Sequence, residues 1–134
     1  MEAAQRFLEA KKRWPVGVKD WAEATAWAFN MLKLEECAEV AKPEWWNDEE
    51  LKALSARVVR AAADDGIAHK MRAMVLSGRY GSLEVWPRSA AELKEAATHF
   101  ERAEALCPAP ALKAELAECA ELCRRLARQR QGPC

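Results

Sequence analysis

The chain has 134 residues, of which 51% are hydrophobic and 31% are charged. That length predicts one domain, and the hydrophobic fraction is high enough to form a core, which excludes a disordered chain. The 21 basic and 21 acidic residues cancel, so no overall field draws the protein to nucleic acid or to an anionic membrane. We therefore expect one domain over residues 1–134, with neither nucleic acid nor a membrane as its partner.

Charge placement and cysteine usage predict a soluble cytoplasmic protein. Charges interrupt the first residues, where a secretion signal would be apolar, and no uncharged apolar run reaches the ~18 residues of a membrane span. Five cysteines occur without a C-x-x-C pair, and a domain of this size folds without disulfides. We expect the cysteines to be reduced.

Cys119 and Cys123 lie one helical turn apart, a spacing that two metal ligands or an intermolecular disulfide could use. A zinc site needs about four ligands, and the sequence does not supply the others nearby. Cysteine also packs as a small hydrophobic residue. We therefore expect both residues in the core, and no metal or other cofactor.

Abundant alanine, leucine and long charged residues, with few β-branched residues and glycines, predict helices throughout and no sheet. The first helix covers about residues 2–14 and ends at Pro15. The second begins near residue 21, where Asp20 and Glu23 have the spacing of a capping box. Residues 34–42 either continue the second helix or form a separate turn.

The third and fourth helices are predicted to form an antiparallel pair. Asn47 is the expected N-cap of the third helix, with Trp46 packing on Leu51 as a hydrophobic staple. Gly66 is expected to end that helix in a left-handed turn. The fourth helix follows at once over about residues 67–78, and a loop is expected over 79–88.

Ser89 and Glu92 form a capping box that opens a fifth helix, and the apolar stripe of this helix ends at a proline. The positions are Ala96, Phe100, Ala103 and Pro108. Their spacing resembles the second helix of a tetratricopeptide repeat (TPR), which has the same alanine, aromatic, alanine and proline signature. The resemblance implies a packed helical hairpin in a protein that binds other proteins.

The segment over residues 70–78 followed by residues 87–97 is also similar to TPR-like proteins of unicellular algae, which bring no known activity. A sixth helix begins near Pro110, has an apolar seam, and resembles the solvating helix that ends many TPR arrays. We thus predict an all-α fold of about six helices in antiparallel hairpins. The resemblance implies a right-handed, α-solenoid-like stack with a C-terminal capping helix.

The sequence predicts no enzyme. Neither a phosphate-binding glycine loop nor a paired-carboxylate cleft is present, and the pairing of His99 with Cys107 lacks an oxyanion site and an orienting third group. The family resemblance implies a non-catalytic interaction module, an adaptor or scaffold. The alternative is an accessory or self-associating subunit that docks through the seam of the sixth helix and exposed tryptophans.

Candidate partner-binding residues lie on the third and fourth helices and near the loops. If the fourth helix lines the concave surface, as first helices do in TPR repeats, a cationic set could bind an acidic protein or a peptide carboxylate. The set comprises Arg57, Arg60, His69, Lys70 and Arg72. The alternative is a solvated face that binds nothing.

Tryptophans supply the second set of candidates. Trp21 and Trp27 are expected to anchor the second helix, whereas Trp45 and Trp86, near loops, could contact a partner or close the ends of the fold. We expect a protein or peptide partner and a monomer or weak oligomer.

Overall fold

The computed structural model describes residues 9, 12–32, 47–80, 83–84 and 88–130. Five helices lie within these ranges: α1 (Lys19–Leu32), α2 (Asp48–Ala61), α3 (Gly66–Leu76), α4 (Ala90–Leu106) and α5 (Pro110–Arg130). Two short antiparallel strands, β1 (Arg79–Tyr80) and β2 (Leu83–Glu84), pair between α3 and α4. The all-α prediction is confirmed, although the prediction of no sheet is wrong for this two-residue ladder within the expected loop.

The helix starts follow the capping signals of the sequence in three places. The Asn47 side chain accepts a hydrogen bond from the Glu50 backbone N–H at 3.0 Å and caps α2. Ser89 and Glu92 form the predicted capping box of α4, with both hydrogen bonds present. Pro110 is the first residue of α5, where its missing N–H has no helical partner to lose.

Other boundaries differ from the prediction. Helix α1 begins at Lys19, which places Asp20 in the first turn and not at the N-cap. Gly66 is the first residue of α3 and has no positive φ, because Asp65 caps α3 directly after a three-residue turn. Gly78, with φ of 76°, provides the left-handed turn at the end of α3 instead. The last helix reaches Arg130, beyond the predicted fraying at Gln129.

Several predictions concern residues outside the described ranges. Within the predicted first helix, Glu9, Lys12 and Arg13 are helical. Its other residues up to Lys11 lie outside the described ranges. The alternatives for residues 34–42 and the roles of three tryptophans also lie outside, namely Trp45, Trp46 and Trp86.

Ion pairs between α2 and α4 show that these two helices run in the same direction. Asp48, at the start of α2, pairs with Arg88, just before α4, and Lys52 pairs with Glu92 one turn further along both helices at 2.5 Å. Helix α3 lies between them in the chain and runs the other way. The α2–α3 and α3–α4 pairs are therefore antiparallel hairpins.

The core has two clusters. The first joins α1, α2 and α3 around Trp21, Phe29 and Leu51, and the second joins α3, α4 and α5 around Phe100. Met74 packs against both clusters. The two clusters are consequently continuous through α3.

The predicted TPR signature positions on α4 are core residues. Ala96, Phe100 and Ala103 are each no more than 1% exposed. The apolar seam of α5 packs against them through Leu116 and Cys123. The seam that the sequence left without a partner is therefore covered by α4, and the expected core position of Cys123 is confirmed.

Replacing Phe100 with alanine should destabilise the protein by about 3–5 kcal/mol, because the ring fills the second core cluster. Urea denaturation followed by far-UV circular dichroism measures this loss. Val16→Ala is the control: Val16 is 67% exposed, so its truncation should change the free energy of unfolding by less than about 0.5 kcal/mol. A loss below about 1 kcal/mol for Phe100→Ala would contradict its burial.

Candidate functional site

A recess of about 360 Å³ opens where α1, α3, α4 and α5 meet. We call it the groove. Its lining includes Trp27 of α1, Ile67 of α3, and Leu112 and Leu116 of α5. Leu106, at the end of α4, contributes to the lining together with the connection to α5. The lining is predominantly apolar, which is the usual character of a binding recess.

Two large side chains of the groove are partly open to solvent. Trp27 is 38% exposed and Leu106 is 41% exposed. Of the two tryptophans expected to anchor this helix, Trp21 is buried, whereas Trp27 lies partly exposed at the groove. The 3.6-residue helical period explains the difference, because positions six apart point to different sides of one helix.

Gly66, the first residue of α3, also lines the groove. A Cβ atom at this position would lie 3.4 Å from the Leu106 Cβ and 3.5 Å from the Ala103 carbonyl oxygen. Both distances are ordinary van der Waals contacts, so the first turn of α3 packs against the last turn of α4 beside the groove.

Lys70 carries the charge that the groove offers to a ligand. It lines the recess and makes no hydrogen bond or ion pair with any described residue. Asp65 also lines the recess, but its carboxylate caps α3 by accepting from the Ile67 N–H at 3.3 Å.

Two other members of the predicted cationic set bond to other groups of the protein. His69 is 4% exposed, and its Nδ1 lies 2.9 Å from Nδ1 of His99 on α4. Arg72 donates to the Lys52 carbonyl at 2.7 Å and pairs with Glu95 at 3.2 Å. Neither side chain lies beside Lys70 on the groove, so the five cations do not form one surface.

The remaining cations of that set, Arg57 and Arg60, are exposed on α2, a helix that contributes no residue to the groove lining. Of the predicted partner-binding residues, the structure thus places Lys70 alone in the groove. Trp45 and Trp86 lie outside the described residues. Their predicted roles stay predictions.

Sequence reasoning missed Arg88 entirely. This arginine is 2% exposed, and its guanidinium binds both carboxylate oxygens of Asp48, at 2.5 and 3.0 Å, and the Val75 carbonyl at 3.0 Å. It thereby ties the start of α2 to the end of α3 and the start of α4. An arginine at the end of an expected loop carries no periodic signal, so no pattern in the sequence marks it.

The start of α4 also holds a carboxylate with a shifted pKa. Partial burial acts to raise the pKa of Glu92, but the hydrogen bonds and charge of Lys52 and the Ser89 backbone N–H outweigh it and lower that pKa. The ionised carboxylate is the form that the capping box and the ion pair require.

Two further candidates from the sequence were a metal site and the pair of His99 and Cys107. No three His, Cys, Asp or Glu side chains within these ranges are arranged to hold a metal ion. Cys107 lies at the groove, whereas His99 pairs with His69, so the sequence pair His99 and Cys107 is not brought together. Among the described helices, none has the length and apolar character needed to cross a membrane.

Comparisons with protein-family models, curated proteins and solved structures found no match for this chain. The TPR resemblance therefore rests on the residues of α4 and remains a prediction. The groove, with its apolar lining and unpaired lysine, is the feature of the described residues best suited to binding.

Arg88→Met should destabilise the protein by about 2–4 kcal/mol, because it removes a buried guanidinium that binds both the Asp48 carboxylate and the Val75 carbonyl and so joins α2, α3 and the start of α4. Urea denaturation measures the effect. Arg57→Met is the matched control, since that arginine is exposed on α2, and its change should stay below about 0.5 kcal/mol. Equal losses in the two variants would show that Arg88 contributes no more than a surface arginine.

Proposed function

We propose that this protein is a non-catalytic interaction module that binds an apolar segment of a partner protein in the groove. The observation that carries the proposal is the combination of a 360 Å³ apolar recess with two half-exposed side chains, Trp27 and Leu106, at its rim. Large hydrophobic residues that share a concave recess are characteristic of protein-binding sites.

The helix directions support a TPR-like stack of hairpins. Lys19, at the start of α1, pairs with Asp64, just before α3, at 3.4 Å. Further along both helices, Trp27 and Lys70 share the groove. Helices α1 and α3 therefore run in the same direction, as α2 and α4 do. Two consecutive hairpins in the same orientation, followed by α5, fit the proposed repeat architecture with a capping helix.

The groove position also fits this architecture. In the proposed assignment, α1 and α3 are the first helices of two repeats, and the groove lies along them and the start of α5. First helices line the concave surface of TPR arrays. The predicted first helix of the sequence would then precede the first hairpin and bring the total to six helices.

Charge complementarity points to a partner segment with an acidic residue. Lys70 makes no ion pair with a described residue, so an incoming carboxylate would meet a cation without first breaking an existing pair. The volume of the recess suits a few apolar side chains of a short helix or of an extended peptide. The proposed partner is therefore an apolar segment that carries one acidic residue beside its anchors.

An accessory-subunit role is the second candidate. Trp14 is 44% exposed and Val16 is 67% exposed, so apolar side chains close in sequence face solvent away from the groove lining. An exposed patch of this kind favours association with another chain. Light scattering of the purified protein separates the candidates: the interaction module stays monomeric without a peptide, whereas the subunit self-associates.

Peptides selected from a random display library on the wild-type protein test the groove. Trp27→Ala and Leu106→Ser should each weaken binding of the selected peptides by about tenfold or more, because each removes an apolar contact surface. Val16→Ser is the matched control, an exposed apolar residue outside the groove lining. Equal binding by all four proteins, or the absence of any peptide whose binding depends on Trp27, would contradict the proposal.

Lys70→Glu should weaken the binding of those selected peptides that are acidic by about tenfold, because reversing the charge turns one charge-assisted contact into repulsion. Added salt should weaken the wild-type complex by screening the same contact. Lys94→Glu is the matched reversal, on an exposed residue of α4 that lines no part of the groove. If Lys70→Glu binds these peptides with unchanged affinity, Lys70 makes no contact with an acidic residue. Whether the apolar groove binds the peptides is decided separately by the Trp27 and Leu106 variants.

A further inference from the structure

A second recess, of about 330 Å³, is lined by residues of α4 and α5. We call it the basic recess. Each helix contributes two residues one turn apart, which therefore share a face of that helix. The lining consists of Lys94 and Thr98 on α4 and of Arg124, Ala127 and Arg128 on α5. Three of these five side chains are cationic and none is acidic.

Both arginines of the basic recess are paired, but each keeps donors for a second acceptor. A terminal nitrogen of Arg124 contacts the Glu101 carboxylate of α4, and a terminal nitrogen of Arg128 contacts the Glu121 carboxylate at 3.5 Å. A guanidinium has five N–H groups, so one such contact leaves others available. Neither glutamate lines the recess. An anion in the recess would therefore not have to break either ion pair.

Lys94 adds a cation that has no partner among the described residues. Its ammonium group makes no hydrogen bond or ion pair with any of them. Thr98, one turn further along α4, donates its hydroxyl hydrogen to the Lys94 carbonyl at 3.2 Å. A hydroxyl hydrogen rotates, so Thr98 can donate to a ligand instead. Three charged donors and one hydroxyl thus share one recess.

The fold accounts for the two arginines without a ligand, but it does not account for the lysine. Arg128 lies in the last turn of α5, where the negative end of the helix dipole stabilises a cation, and Arg124 joins α5 to α4 through Glu101. Lys94 lies in the first half of α4, where the dipole gives a cation no stabilisation. Its place in one recess with two arginines adds repulsion between like charges, which a bound anion would offset.

We propose that the basic recess binds a phosphate group with two negative charges, supplied either as free phosphate or as a phosphate monoester on a peptide side chain. Such a group carries at least three strongly accepting oxygen atoms, and the guanidinium group of arginine matches its geometry. A carboxylate has two oxygen atoms and one charge. The recess should therefore prefer phosphate to the side chain of a glutamate.

The basic recess and the groove are separate sites. Their linings share no residue. Lys94 and Thr98 of α4 line the basic recess, whereas Ala103 and Leu106, towards the other end of the same helix, line the groove. Phosphate binding should therefore not depend on Trp27, and the proposal stands whether or not the groove binds a partner.

Nuclear magnetic resonance of the wild-type protein, with inorganic phosphate as the probe, tests the site. The titration is run at about pH 7.5, where most of the phosphate carries two charges, and sodium chloride holds the ionic strength constant. The amide signals of residues 94–98 and 124–128 should shift and saturate with a midpoint of about 1–10 mM. Those of residues 66–70, at the groove, should not move. Shifts that do not saturate, or equal shifts in both regions, would overturn the proposal.

Lys94→Gln and Arg128→Gln should each raise the midpoint of this titration by about fivefold or more, because each removes one charge-assisted contact. Arg125→Gln is the matched control, since Arg125 is an exposed arginine of α5 that does not line the recess. All three side chains are exposed, so the variants should unfold at the same urea concentration as the wild type. An equal effect of the three substitutions would indicate nonspecific attraction and exclude a defined site.

Peptides selected from a randomised phosphoserine library distinguish the two sources of the phosphate group. If a peptide supplies it, the best of them should bind about tenfold more tightly than inorganic phosphate, because flanking residues add contacts. If free phosphate is the ligand, none should bind more tightly than phosphate itself. The matched control replaces phosphoserine with glutamate in the same peptides, which should weaken binding by about tenfold or more. Equal binding of the glutamate peptides would contradict recognition of phosphate.

Discussion

The close packing of α3 on α4 is the constraint on which the rest of the structure depends. Gly66 and Ala73 on α3 and Ala96 and Ala103 on α4 have little or no side chain, and Ala73, Ala96 and Ala103 share one core cluster. Along the same seam, polar side chains bond directly to one another. Each buried polar group must then find a protein partner, because leaving one unpaired costs about 1–3 kcal/mol.

This requirement explains the order of contacts along the seam. His69 meets His99, and Arg72 meets Glu95 one turn away. At the end of α3, Arg88 donates a hydrogen bond to the Val75 carbonyl. Small residues bring the helices together, and the polar pairs then fix how they align, since a shift of one turn would leave each pair without its partner.

The groove follows from the same packing. Three residues connect α4 to α5, so α5 must fold back along α4, and Arg124 of α5 pairs with Glu101 of α4. Helix α5 therefore packs mainly on α4, and a recess remains between α5 and the helices on the other side of the seam. Trp27 reaches this recess from α1 because α1 runs alongside α3.

Local features of the fold could be predicted from the sequence, and contacts between distant residues could not. The caps at Asn47 and Ser89 and the core position of Phe100 depend on neighbours within a few residues, so spacing alone indicates them. The position of the His69 side chain depends on its contact with His99, which lies thirty residues further along the chain. A helical pattern assigns such a residue to a polar face, and it cannot tell whether that face meets water or another polar face.

The same limit applies to the candidate site. Lys70 and His69 are adjacent in sequence and equally polar, yet one lines the groove and the other is buried in the seam. The apolar residues of the groove come from four helices and have no common motif. A folded protein can expose a single tryptophan or leucine at little cost, so Trp27 and Leu106 do not separately indicate a partner. The proposed binding surface rests on their position around one concave recess, beside a lysine that pairs with no described residue.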